Sequence, residues 1–207
     1  MKYSAATVRN EMAKLLGLGF LEMMHTSSGR IPTPMAYKLF LDELMEEEDI
    51  PVLQEVAIKQ KLWPERFDFY KLLRQAALSL SDATKELALA TTNEGYLVHA
   101  GAVNVLDSKE FWDIDVTKEA LGLLDRYELL ERIFSKVPMA DKGVYCIIGE
   151  ELGGDVFSKC SMLFSPYRLG KRAGYIAVLG PSRMRYPSVI PAIKYTRDLV
   201  EELGESW

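Results

Sequence analysis

The sequence predicts an α+β protein in two parts: a small basic helix-and-hairpin module, then a larger domain on a mainly antiparallel sheet. Three observations carry this. From Ser4 to about Gly17, apolar side chains recur at helical spacing, and two short strand-like runs follow at once. The acidic run "EEED" and the pair Ile50–Pro51 then interrupt the pattern. Beyond them, strand-like segments divided by turn signals are interleaved with helical ones without a βαβ rhythm. The expected domains are residues 1–50 and 51–207.

Ser4 is a natural N-cap for the first helix. Ala5, Val8, Met12, Leu15 and Leu16 form its apolar stripe. At 100° per residue the opposite side carries Ala6, Asn10 and Ala13, flanked by Thr7, Lys14 and Arg9. Small residues beside Asn, Arg and Thr make a low polar surface that can approach base edges, where Asn suits adenine and Arg suits guanine or phosphate. Gly17 and Gly19 end the helix, "FLEMM" reads as a strand, "HTSSG" as a turn, and "RIPT" as a returning strand that Pro32 confines to an edge. A helix followed by a two-stranded hairpin tipped with His25, Ser27, Ser28 and Arg30 is the order of a winged helix, here partial: recognition helix and wing.

Thr33 and Pro34 read as N-cap and first residue of another helix with a stripe of Tyr37, Phe40, Leu41, Leu44 and Met45. The acidic run after it reads as a solvated face. In the larger part, "RFDFYKLLRQAALSLSDATK" predicts a helix that packs Phe67, Tyr70, Leu73, Ala77 and Leu80. "ELALATT" and "GYLVHAGAV" predict strands, and "TKEALGLLDRYELLERIFSK" one helix. "GVYCIIGEEL", "CSMLFSPYRL" and "AGYIAVLGP" predict three more strands. The closing segment "SVIPAIKYTRDLVEELG" predicts a helix with Pro191 in its first turn.

Composition narrows the function classes. The chain has 207 residues, is 48% hydrophobic and 27% charged, and carries a net charge of −5. No apolar run approaches the roughly 20 residues of a membrane span, and the start has no apolar signal core. Cys146 and Cys160 lie in strand-like segments and read as buried, reduced thiols of a cytoplasmic protein. His25 and His99 have no Cys or acid at metal-ligand spacing, so neither a zinc site nor another cofactor is expected. "GEELGGD", with Glu150, Glu151 and Asp155, is most simply an exposed hairpin turn, and no constellation argues for an enzyme. Charge is unevenly spread: residues 1–40 are net positive, and Ser165–Arg197 holds seven Arg and Lys with no acid. That second basic segment reads as a positive surface or, alternatively, as a further phosphate or acidic-partner contact.

The strings "SAATVRNEM", "LGFLE" and "HTSSGRIPT" resemble the recognition helix and wing of the HrcA family of heat-inducible transcription repressors. "GAVNVLDSKEFWD", "IGEE" and "GYIAVLGPSRMRYPSVI" resemble later motifs of that family, in the same order. Ser28 departs where the family usually has Ala. The resemblance implies a GAF-like α+β domain behind the winged helix. It also implies a dimeric repressor of chaperone operons that binds double-stranded DNA at an inverted-repeat operator, CIRCE, is modulated by the GroE chaperonin and is released on heat stress. By motif position, the DNA contacts fall among Thr7, Arg9, Asn10, His25, Thr26, Ser27 and Arg30. Two departures bear on this. The family's first two helices are absent, so the stripe of the first helix is left without cover. The favoured expectation is that Met1 is an internal start, the others being that the stripe docks on the Tyr37–Met45 helix or on a second subunit. The β-rich insertion that relatives carry between "ELALATT" and "GYLVHAGAV" is also missing. The alternative function is therefore a GAF-like dimerisation or ligand-sensing module that no longer binds DNA because its winged helix is incomplete.

Overall fold

The computed structural model describes residues 3–23, 29–136 and 143–204. The chain falls into two compact units, Met1–Glu46 and Glu47–Trp207. The first holds helix α1 (Ala5–Gly17), the antiparallel strands β1 (Leu21–Met23) and β2 (Arg30–Pro32), and α2 (Pro34–Leu39). As the sequence predicts, the Ser4 hydroxyl caps α1 and Thr33 caps α2, with Pro34 as its first residue. α2 does not run on as a regular helix. Residues Phe40–Leu44 form a π-turn closed by the Met45 N–H to the Phe40 carbonyl. The extra residue per turn carries Leu44 off the expected stripe, and it is 66% exposed.

The second unit adds α3 (Val52–Leu62), α4 (Phe69–Thr84), β3 (Leu87–Thr91), β4 (Leu97–Ala100), α5 (Ile114–Gly122) and α6 (Tyr127–Phe134). β5 (Tyr145–Ile148), β6 (Cys160–Leu169), β7 (Arg172–Pro181) and α7 (Tyr186–Gly204) complete it. The five strands form one sheet in the order β4-β3-β7-β6-β5, every neighbouring pair antiparallel. Side chains alternate across it. Leu87, Leu89, Phe164, Ala177 and Leu179 face a core closed by α5 and α6, while Ala88, Ala90, Leu163, Ile176 and Val178 are buried on the opposite face, where α4 and α7 pack. The mainly antiparallel α+β architecture is as expected.

Several local expectations fail, each for a physical reason. α3 has no counterpart in the sequence reading, because it is apolar on two sides: Ile58 and Leu62 point inward, Val52 and Leu53 outward. A helix without one polar face gives no amphipathic signal. α4 starts only after Asp68, whose carboxylate accepts from the Lys71 N–H at 3.2 Å. The buried stripe therefore begins at Phe69. Phe67 is 73% exposed under the Arg66 guanidinium, and Tyr70 turns outward to donate to Glu94. The segment expected as one helix after Thr117 breaks at Arg126 (φ −118°, ψ 68°), whose guanidinium folds back on the Gly122 carbonyl and Glu119. The break brings Leu123 and Leu130 into the same core. "GEELGGD" is not a simple exposed turn: Gly149–Leu152 and Asp155–Phe157 are 3₁₀ turns that bury Leu152 and Phe157. Pro191 lies in the second turn of α7, not the first.

Cys160 is fully buried and burial pushes its thiol up to about 12, while Cys146 is only half-buried; neither is in a disulfide. Arg197 is 5% exposed yet satisfied, donating to the Ser165 hydroxyl at 2.8 Å and to Asp198 at 2.8 Å. Among the described residues no helix is long and apolar enough to cross a membrane, and no group of His, Cys, Asp and Glu is placed to hold a metal.

Candidate nucleic-acid interface

The candidate interface is organised around one hydroxyl, that of Thr33. α1 ends through Leu18 N–H to Lys14 O and Phe20 N–H to Leu15 O, with Gly19 at φ +78°, a left-handed conformation that glycine adopts without strain. The Thr33 hydroxyl donates to the Gly19 carbonyl at 2.8 Å and accepts from the Ala36 N–H at 3.4 Å, while the Thr33 N–H bonds the Phe20 carbonyl at 3.0 Å. One residue thus fixes the end of α1, the base of the hairpin and the start of α2. The hairpin register follows, with Leu21 opposite Pro32 and Met23 opposite Arg30.

On α1, Thr7, Arg9 and Asn10 are all exposed. Thr7 is partly committed to the cap: its N–H bonds the Ser4 hydroxyl at 3.1 Å and the two hydroxyls lie 2.9 Å apart. Among the described residues the side chains of Arg9 and Asn10 have no hydrogen-bond or ion-pair partner, so the guanidinium keeps all its donors and the amide its donors and its acceptor. Lys14 is tied to Glu11 at 2.8 Å. Arg30, on β2, is half-buried, and its Nε is buried without a hydrogen-bond partner. His25, Thr26 and Ser27 lie outside the described residues.

The other face of α1 is only partly covered: Met12 and Leu16 are half-buried, while Ala5, Val8 and Leu15 are exposed. No described residue of the first unit is buried, and Val8 and Leu15 are 44% and 39% exposed. Exposing such side chains costs about 1.5–3 kcal/mol each.

Much of the Ser165–Arg197 basic segment proves to be paired with acids outside it, which the sequence did not reveal. Arg183 grips Glu110 with two bonds of 2.7 and 3.1 Å, Arg185 lies 3.6 Å from Glu48, and Lys194 lies 2.5 Å from Glu47. The Arg172 guanidinium sits over the Phe69 ring at 4.6 Å. The acidic run read as a solvated face is thus one of the partners of these cations. A signal was available in the opposite signs of the two segments, but only the fold brings residues 47–48 and 185–194 together.

The family model and the curated relatives agree on one family. The model of the HrcA protein C-terminal domain matches residues 37–190. The heat-inducible transcription repressor HrcA of Desulforudis audaxviator is 24% identical, over 95% of this chain and 86% of that protein. The repressor of the same name from Acetivibrio thermocellus is 22% identical, over 96% and 86%. A crystal structure of a hypothetical protein superposes with a TM-score of 0.78 at 17% identity, covering all of this chain and 89% of the other, and so shares the fold. The second unit, a five-stranded antiparallel sheet between helices, has a GAF-like α+β fold and holds most of the residues that the family model matches. With the family model taking in residues 37–190 and both curated relatives running almost the whole length, the chain belongs to the HrcA family.

Proposed function

We propose that the chain is a DNA-binding transcriptional repressor of heat-shock operons, acting as a dimer on an inverted-repeat operator of the CIRCE type and released on heat stress. The observation that carries this is the polar side of α1. Arg9 and Asn10 stand exposed and uncommitted beside the small residues Ala6 and Ala13, one hairpin away from the partnerless Nε of Arg30. Asn10 reads a base edge in the major groove, Arg9 a guanine or a phosphate, and Thr7 and Arg30 hold the backbone. His25, Thr26 and Ser27 complete the wing. The winged-helix module takes residues 1–50 and the GAF-like sensing and dimerisation domain residues 51–207, with the GroE chaperonin as the folding partner that sets the amount of active repressor. Membership of a family whose curated members are named heat-inducible transcription repressors supports the reading.

A second reading rests on a different observation: the first unit has no buried described residue, so its recognition helix lacks a core behind it. In that case the chain is a GAF-like dimerisation or sensing module without operator binding. Fluorescence anisotropy separates the two. The 207-residue chain is titrated against an inverted-repeat and a scrambled duplex at two salt concentrations, beside a version carrying any in-frame residues that precede Met1. Repression requires that at least one version prefers the inverted repeat, and that Asn10→Ala reduces the preference by about 1–3 kcal/mol. Equal affinity for both duplexes in both versions leaves the sensing module as the function.

A further inference from the structure

The second unit contains a cavity of about 240 Å³ at the end of the sheet, beneath α6. It exists because β3 and β7 stop pairing there. Their ladder ends at Ala90 opposite Ile176. Beyond that point the Tyr175 N–H turns to the Thr91 hydroxyl at 3.1 Å, and the Thr91 carbonyl takes the Tyr167 hydroxyl at 2.7 Å. The strands meet again only where the Asn93 N–H donates to the Ala173 carbonyl at 2.7 Å. α6 bridges the gap with residues 127, 131 and 134, one turn apart, so Tyr127, Glu131 and Phe134 all face it.

Most polar groups around the cavity are already satisfied. The Tyr127 hydroxyl donates to the Thr92 carbonyl, and the Asn93 side chain pairs with the backbone of Lys171 and Ala173. Two are not. Glu131 and Arg168 both line the cavity and carry opposite charges, and among the described residues their charged groups are paired neither with each other nor with another side chain, the Glu201 carboxylate taking only the Arg168 backbone N–H at 2.8 Å. The groove between α3 and α4 is the contrasting case, since its Lys61 and Asp82 close on one another at 2.5 Å. Part of the cavity lining is apolar, with Phe134 stacked on Tyr175 at 4.7 Å.

An apolar wall with one free anion and one free cation at its rim fits a ligand of matching build. We propose that this cavity binds a free α-amino acid with an apolar side chain, its carboxylate on Arg168 and its ammonium on Glu131. The volume suits a ligand of that size, since drug-sized pockets run from about 300 Å³ upward. Arg168 offers the planar fork that a carboxylate takes bidentately. The field of Glu131 is felt inside the cavity: burial raises the Tyr127 and Tyr175 phenols, and the Glu131 carboxylate adds to both shifts. The site lies wholly in the second unit, so it does not depend on operator binding.

Thermal shift and calorimetry on the full chain test it without DNA. L-leucine or L-phenylalanine at about 10 mM is expected to raise the melting temperature in a saturable way. N-acetyl-L-leucine lacks the ammonium and L-leucinamide the carboxylate, and each is expected to bind at least about tenfold more weakly. Arg168→Gln and Glu131→Gln remove exposed charges and are expected to abolish the shift while leaving the unliganded melting temperature in place, with Arg168→Lys retaining part of it. The proposal is overturned if no protein amino acid shifts the transition, if the acetylated and amidated forms bind as well as the free acid, or if either charge-removing variant keeps full affinity.

Discussion

The Glu48 N–H donates to the Pro187 carbonyl at 3.1 Å, filling the acceptor that Pro191 cannot reach within α7. A proline inside a helix leaves the carbonyl four residues earlier without a donor. Here the acidic segment before α3 supplies one and adds Glu47 to Lys194 and Glu48 to Arg185. The helix tolerates proline in its second turn because a neighbouring strand of chain completes its hydrogen bonding.

The same clamp changes what the basic segment can do. Because Arg183 and Arg185 already face Glu110 and Glu48, replacing both with Ala is expected to leave the salt slope of operator binding unchanged. Replacing Arg30 is expected to lower that slope by about one unit and to weaken binding to all sequences alike. Anisotropy titrations across a salt series read both.

Glu86 gives a pH signature. Burial is the main cause that raises its carboxyl to about 7, with Glu110 adding to the shift and Arg183 opposing it. At pH below the ordinary value of 4.5 both states hold the proton, and Glu86→Gln changes little. Between that value and about 7 the unfolded chain ionises first, so the parent loses stability as pH rises; above it the penalty is constant. Glu86→Gln is therefore expected to be more stable at pH 8 by about 1 kcal/mol after solvent screening, and equal at acid pH. Urea midpoints at the two pH values decide it. A benefit independent of pH refutes the assignment.

Two buried hydroxyls, on Ser79 and Thr196, have no partner. Thr196→Val keeps the shape and removes the unsatisfied group, so a gain of about 1 kcal/mol in denaturant unfolding is expected. A loss of similar size would mean that the hydroxyl is bonded in solution.

Gly174 shows the opposite sensitivity. A Cβ there would overlap the Thr91 carbonyl and crowd the Tyr167 hydroxyl, at the point where β3 and β7 separate. Gly174→Ala is expected to cost about 1–3 kcal/mol in thermal or urea unfolding, and to disturb the cavity beneath α6 along with it.

By itself the sequence determined the elements with a single apolar face or a chemical cap. Ser4 and Thr33 mark helix starts through side-chain bonds made within three residues, Pro34 does so through its fixed φ, and β6 and β7 announce themselves as apolar runs between turns. The exposed polar side of α1 was legible for the same reason, since helical geometry alone places Asn10 and Arg9 on it. Tertiary structure decided what local rules could not encode. α3, apolar on two sides, gave no periodic signal; Arg126 broke a helix to bring Leu123 and Leu130 into one core; and Phe67 yielded its place to Phe69 through the Asp68 cap. The pairing of Glu47 and Glu48 with α7, and the placing of Glu131 and Arg168 in the lining of one cavity, bring together residues far apart in the chain. Such contacts depend on how layers pack, and packing is set by the whole core rather than by any window of sequence.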